Sequence, residues 1–243
     1  MTDKFWISPS QIDTFNDCPR SWWFRYARKM PVEEKQEQFD YGNVLHEAAE
    51  RWLKADDRGY DESGKPVDIF PKGWASKVNS DQAKHIKELL ELGIKEGVLR
   101  RLPDRQVEVW MKHPVGVGNV WIRGVIDQLG REVIEDHKTT SSRRWALGKK
   151  KLRQDNKMLS YAWWEWKRHP ERDVFRLRLN YFNKKELEVW EVTTPVTALE
   201  LQRWEQDILL PTATDMQRYT EVEDHDWEKV EGPRVKDACK KYN

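Results

Sequence analysis

Cysteine is nearly absent from this chain of 243 residues, with Cys18 and Cys239 its only two. Two thiols cannot build the disulfide framework of a small secreted domain. Long apolar runs are missing as well. No stretch approaches the roughly 20 residues that cross a bilayer, and the opening MTDKFWISPS lacks the apolar segment of a signal peptide. A soluble, cytoplasmic protein is therefore expected. Nor does charge of one sign dominate: 43 Lys and Arg face 42 Asp and Glu, for a formal net charge of +1. That excludes a chain-wide basic field and confines any cationic binding surface to a local groove. Tryptophan, by contrast, is abundant, with 14 copies set against a mean hydropathy of −0.92. Large rings must supply much of the core beneath a heavily charged surface.

The stretch from Asn119 to Ser142 organises the rest. Apolar and β-branched residues fill Val120 to Leu129, Gly130-Arg131 interrupts them, and Val133-Ile134 resumes, which predicts two strands joined as a hairpin. Asp127 falls near the end of the first strand, and Asp136 and Lys138 near the end of the second. Side chains alternate along a strand, so Asp136 and Lys138 share a face while His137 points away and offers its backbone carbonyl. Two carboxylates brought together repel unless a cation joins them, and a hard divalent ion, Mg²⁺ or Mn²⁺, is the natural partner. Such an ion with a nearby lysine is equipped for phosphodiester hydrolysis.

Periodicity extends the pattern. Helical spacing marks Tyr41 to Leu53, Ser80 to Arg101 and Lys151 to Arg168, and strand character marks Gln106 to Lys112, Val174 to Phe182 and Leu187 to Thr193. Ser8 and Pro9 signal a helix start, and Pro19 should divide Ser8–Arg28 into two short helices. Ala55 to Lys72 reads as a surface loop or lid, and Glu108 as an outward-facing strand glutamate in preference to a further carboxylate of the site. A helix with Leu199, Trp204 and Ile208 on its apolar face follows Val196. Cations interleave with rings at Arg20–Arg28 and Tyr161–Arg168, and a basic run follows the second strand. Arg25, Arg28, Lys150 and Arg153 are the candidates for a DNA phosphate track.

Gly124-Val125-Ile126-Asp127 followed by Ile134-Glu135-Asp136-His137-Lys138-Thr139-Thr140 resembles the core of the PD-(D/E)XK nuclease superfamily. It is most similar to the RecB-like exonuclease branch, with its CRISPR-associated and phage-encoded relatives. The resemblance implies a mixed α/β fold: a restriction-endonuclease-like αβββαβ core, its central mixed sheet flanked by helices, with an N-terminal helical extension. The expected division is a helical region over 1–78, a nuclease core over 79–195 and a C-terminal helix and tail over 196–243. Gly42, His46 and Glu50 match the family motif whose histidine joins the two aspartates, which implies metal ligation by His46, Asp127, Asp136 and the carbonyl of His137. Asp127, Asp136, Lys138, Lys157 and Tyr161 become the expected catalytic set, although Lys157 stands where relatives usually carry glutamine.

Cys18 matches a position that often ligates an iron–sulfur cluster in this branch, and Cys239 resembles the first of three C-terminal ligands. Two thiols cannot complete a [4Fe–4S] site. That leaves either a lineage without the cluster or a longer chain that carries the remaining ligands. The function so implied is metal-dependent exonucleolytic hydrolysis of single-stranded or end-containing DNA, in phage or bacterial recombination, replication or repair. A structure-specific endonuclease and a non-catalytic DNA-binding recombination accessory protein are the alternatives.

Overall fold

The computed structural model describes residues 3–31, 36–56, 58–61 and 63–232. Strand β1 (Phe5–Ile7) leads into helices α1 (Pro9–Asp17) and α2 (Pro19–Trp22), and α2 runs on into a π-turn over Trp23–Ala27. Helices α3 (Gln36–Lys54) and α4 (Ser80–Lys95) follow, then strands β2 (Gln106–Pro114), β3 (Val120–Leu129) and β4 (Val133–Thr140). The chain continues through a single turn, α5 (Lys149–Leu152), helix α6 (Asn156–Arg168), and strands β5 (Val174–Asn183) and β6 (Val189–Thr197). It closes with α7 (Ala198–Trp204), a second π-turn (Glu205–Leu209) and α8 (Leu210–Thr220). From α4 to β5 the order is the expected helix, three strands, helix, strand, around a central mixed sheet flanked by helices. No helix among the described residues is long and apolar enough to cross a membrane.

Local chemistry accounts for several boundaries. Asn79 and Gln82 form a reciprocal capping box that starts α4. Gly97, at φ +68, allows the left-handed turn that ends this helical stretch before the predicted Arg101. Pro19 divides the N-terminal helices as anticipated, but the Ser8 side chain makes no capping bond. The helix predicted over Lys151–Arg168 is broken after Leu152. It restarts where the Asp155 carboxylate accepts the Met158 amide at 2.9 Å. Trp204 is buried and Ile208 packs against the core as expected, but Leu199 is 55% exposed and Leu201 is buried in its stead.

The sheet holds the main correction. β2 runs antiparallel along one whole edge of β3, from Gln106 opposite Leu129 to Pro114 opposite Trp121. The other edge of β3 is shared. β1 pairs with it in parallel at Val120, Trp121 and Ile122, and β4 pairs with it only at Gln128 and Leu129. The predicted hairpin is therefore two residue pairs deep. β4 runs instead along β5, in parallel register from Val133 opposite Arg176 to Thr140 opposite Asn183. Among the described residues no strand pairs with the shared edge of β3 between Arg123 and Asp127, and a gap opens in the sheet.

Different cores pack the two faces. The larger, rich in rings, gathers Trp22, Trp23, Tyr161, Trp163 and Trp204 with Ile122, Ile126 and Ile134 beneath α1, α6 and α8. The smaller is mostly aliphatic: Val44, Leu45, Leu53, Ile86 and Leu89 of α3 and α4 close over Phe182. The rings of the two cation-rich segments belong mainly to the first core, since Trp22, Trp23, Tyr161, Trp163 and Trp164 are all buried.

Candidate active site

A face change in two neighbouring strands sets the geometry. Val107 packs with the aliphatic core and Val109 with the ring-rich one, although residues two apart on a regular strand share a face. Glu108 between them has φ +56, a left-handed conformation that costs a non-glycine residue about 1 kcal/mol or more. Across the ladder, Ile126 joins the ring-rich core, while Gln128 turns to the opposite side and bonds the Arg100 carbonyl at 3.0 Å. Asp127 sits at this switch, and its carboxylate enters the gap. Its Oδ2 accepts the His137 backbone N–H of β4 at 2.6 Å, so a side chain replaces the missing ladder.

Gly124 explains how a helix reaches the same gap. A Cβ there would lie 3.0 Å from the Tyr161 ring and 3.3 Å from Met111. Its absence lets α6 press against β3, and the Tyr161 hydroxyl donates to the unpaired Val125 carbonyl at 2.5 Å. Burial pushes the Tyr161 phenol up, so it stays protonated.

On the α6 face, Asp136 is fully buried. Lys138 Nζ lies 2.7 Å from Oδ2 and Lys157 Nζ 2.6 Å from Oδ1. Alternation along β4 delivers the first ammonium and the first turn of α6 the second. Burial pushes the Asp136 carboxyl up, but the two ammoniums outweigh it and hold it below the usual carboxylate range. Burial likewise pulls Lys157 down, and Asp136 reverses the sign, leaving the ammonium above its ordinary value. Both Asp136 oxygens are nonetheless buried without a hydrogen bond of good geometry, so these contacts are ionic and poorly directed.

The opposite face contributes His46 from α3, with Nδ1 3.5 Å from Asp127 Oδ2. Burial lowers its pKa, with Asp127 pulling the other way, so the imidazole is neutral at physiological pH and has a lone pair to give. His137 turns to this same face, its ring 6.1 Å from that of His46 and its Nδ1 3.4 Å from Asn180. Glu108 lines the same cavity, where burial first and then Asp127 and Glu50 lift its carboxyl to about 7. The outward orientation expected for it is thereby corrected. No sequence pattern marks a glutamate for a left-handed turn inside a strand.

His46, Glu50, Glu108, Asp127, Lys138, Lys157 and Tyr161 share one cavity of about 830 Å³ that spans the gap. A larger cleft of about 1070 Å³, beyond the end of α3, is lined by Arg51, Asp61, Asp68 and Arg105 and contains no buried carboxylate. Two aspartates with little or no exposure, a neutral imidazole and a peptide carbonyl make a donor set suited to a hard divalent cation. The under-bonded oxygens of Asp136 are its natural anchor. As the side chains stand, no three His, Cys, Asp or Glu of the described residues are grouped tightly enough to hold an ion. The ammoniums of Lys138 and Lys157 take up the Asp136 charge instead.

The other expected residues lie elsewhere. Arg28 donates to the Val222 carbonyl, pairs with Asp224 at 2.6 Å and stacks over Trp23, which ties it to the C-terminal helices. Arg153 pairs with Glu200 at 2.6 Å. Arg25 stacks over Tyr26, and Lys150 is exposed on α5. None of the four lines the cavity. Cys18 is buried, and its sulfur caps α2 by accepting the Ser21 amide at 3.3 Å. Cys239 lies outside the described residues, and no iron–sulfur site is present among those described.

A solved structure titled "Crystal structure of SSO0001" is similar over 87% of this chain and 78% of its own, at 15% identity and a TM-score of 0.37. A likeness that distant carries no argument. No curated protein matches the chain. The family model of the PD-(D/E)XK nuclease superfamily matches residues 6–239, a span that holds the whole sheet from Trp6 onward and every residue of the cavity. The chain belongs to the PD-(D/E)XK nuclease superfamily.

Proposed function

We propose that the chain is a metal-dependent DNA exonuclease of the RecB-like branch. Its substrate is single-stranded or end-containing DNA, and its setting is phage or bacterial recombination, replication or repair. Membership of the superfamily already implies a nuclease that acts on DNA, and such nucleases use divalent metals such as Mg²⁺. The observation that carries the finer reading is Asp136, a fully buried carboxylate between two ammoniums, beside a gap that Asp127 enters from the neighbouring strand.

Asp127, Asp136, His46 and the carbonyl of His137 are the proposed ligands of Mg²⁺ or Mn²⁺, with the imidazole favouring Mn²⁺. Bound there, the ion supplies Lewis-acid polarisation of the scissile phosphate and a lowered pKa for its water. Lys138 orients the attacking water from the Asp136 side. Lys157 steadies the phosphate, and Tyr161 braces the Val125 edge beside which the phosphate lies. His46, kept neutral by burial, presents a lone pair and adds no positive charge.

End-labelled linear single-stranded DNA incubated with Mn²⁺, Mg²⁺ or EDTA tests this reading, with Asp136→Ala run alongside. The expected outcome is loss of DNA with metal that EDTA and the substitution both abolish. Intact DNA with either metal overturns it. Sparing of circular single strands separates an exonuclease from a structure-specific endonuclease, because only the former needs an end.

A further inference from the structure

Beyond the cavity, the outward face of β1, β3 and β2 carries an unusual surface. Parallel pairing places Trp6 beside Trp121, and antiparallel pairing places Lys112 opposite Arg123 and Trp110 opposite Val125. Alternation turns their neighbours Ile7, Ile122 and Met111 into the core and leaves this set outside. Trp110 is 65% exposed. Lys4 stands over Trp121 at 3.6 Å and Arg123 over Trp6 at 5.6 Å, while Lys112 stands over Trp110 at 5.5 Å. Among the described residues, none of these three cations has a carboxylate within ion-pair distance.

Two observations show what this face is for. Like charges directly across a ladder, as in Lys112 opposite Arg123, destabilise a sheet. Their retention without counter-charge, in a chain whose overall charge is close to zero, marks a surface complementary to a polyanion. The face is also continuous with the cavity. Val125, next along it after Arg123, lines the cavity together with Asp127, and from Trp121 to Asp127 is roughly 20 Å along the strand.

We propose that this face is the entry track for a single-stranded DNA substrate. Trp6, Trp110 and Trp121 give bases something to stack on, and Lys4, Lys112 and Arg123 follow the phosphates toward the gap. Trp110 is open to solvent and Trp6 and Trp121 are half-buried, and such rings can stack only on bases that are not already stacked in a duplex, so the track selects single strands. The inference rests on the nuclease reading of the cavity for its direction, but its test does not.

Binding of a fluorescein-labelled oligothymidylate is measured by anisotropy in EDTA, where no cleavage occurs. Lys112→Glu with Arg123→Glu is expected to weaken binding at least tenfold. It should also reduce the salt slope by about 1.4, the value for two phosphates of a single strand. Trp110→Ala is expected to weaken binding about fivefold or more, and its exposed position keeps the fold intact. Lys84→Glu with Lys87→Glu on α4 serves as a control for net charge and is expected to change binding less than twofold.

Unchanged binding in the Lys112/Arg123 variant, or equal weakening by the α4 control, overturns the proposal. So does equal competition by duplex DNA, and so does a concentration-dependent dimer that Trp110→Ala abolishes, because the face would then meet a second copy of the chain. Asp136→Asn keeps the two hypotheses apart: it is expected to lose metal-dependent cleavage, while Lys112→Glu with Arg123→Glu weakens binding by the same factor in its background as in the unmodified protein. Persistent cleavage by that variant would remove the catalytic reading and leave the binding result standing.

Discussion

Glu135 and Asp136 are neighbours on β4, both fully buried and both facing cations, yet they are built to different ends. Glu135 faces the aliphatic side, where its carboxylate takes Gln128 at 2.6 Å, Asn180 at 3.3 Å and the Arg178 guanidinium. Both oxygens are engaged by planar or amide donors, and the Arg178 side chain is only 11% exposed. Asp136 faces two flexible ammoniums whose side chains are 38% and 31% exposed, and it forms no well-directed hydrogen bond. On the proposed function, the difference separates a structural carboxylate from a chemical one inside a single strand. The first is closed by planar partners that are themselves held inside the sheet, whereas the second is neutralised by half-exposed ammoniums that can swing into water.

The strongest way to sharpen that contrast is to neutralise each carboxylate in turn. Asp136→Asn is expected to lower the cleavage rate on the order of a thousandfold or more. Its thermal midpoint should stay close to that of the unmodified protein, because Lys138 and Lys157 can swing into water. Glu135→Gln should do the reverse. It leaves the Arg178 guanidinium only Glu191 at 3.8 Å and the Thr193 hydroxyl at 3.4 Å, and loss of one partner of a buried pair costs up to about 3–5 kcal/mol. Urea unfolding is expected to show that loss, while the folded fraction keeps its specific activity. A Glu135 variant that is stable but inactive would break the comparison.

The partners of Asp136 give a smaller effect. In the proposed metal site, ion binding requires at least one ammonium to move off this carboxylate, and Lys157, 2.6 Å from Oδ1, is one of the two. Lys157→Gln is expected to lower the Mn²⁺ concentration for half-maximal cleavage about tenfold, or ~1.4 kcal/mol, with weaker binding of the DNA. A titration of rate against Mn²⁺ for both proteins checks this, and an unchanged or higher midpoint contradicts it.

Much of this arrangement is legible in the residues because it depends on short periods. The two-residue repeat of a strand carries Asp136 and Lys138 to one face, and the four-residue spacing from Lys157 to Tyr161 puts both on one side of α6. The element order follows from the same periodicities. What is hidden depends on partners far apart in the chain. The commitment of Arg28 to Val222 and Asp224, and of Arg153 to Glu200, is a tertiary matter that composition does not register. So is the gap in the β3 edge, which arises because β1 and β4 take separate ends of it. Apolar runs on either side of Gly130-Arg131 read as a full hairpin, and nothing local reveals that β4 prefers β5.

Glu108 tests the comparison at its finest, since it is a carboxylate of neither kind: half-buried, strained, and, among the described residues, without a cation at ion-pair distance. Its folded pKa of about 7 lies above the ordinary 4.5, so the native state holds a proton that the unfolded chain releases. Stability is therefore expected to fall as pH rises from about 4.5 to about 7, by ~1 kcal/mol once its partial exposure to water is allowed for. Glu108→Gln should remove that slope and leave the left-handed strain in place. Glu108→Gly should remove both, exceeding the glutamine variant in stability at every pH by about 1 kcal/mol at most, because glycine adopts φ +56 freely. Urea midpoints in EDTA at pH 5 and pH 8 for the three proteins separate these contributions. If the glycine variant proved no more stable than the glutamine one, the turn at Glu108 would carry no strain. The switch that delivers Asp127 into the gap would then be set by its neighbours alone.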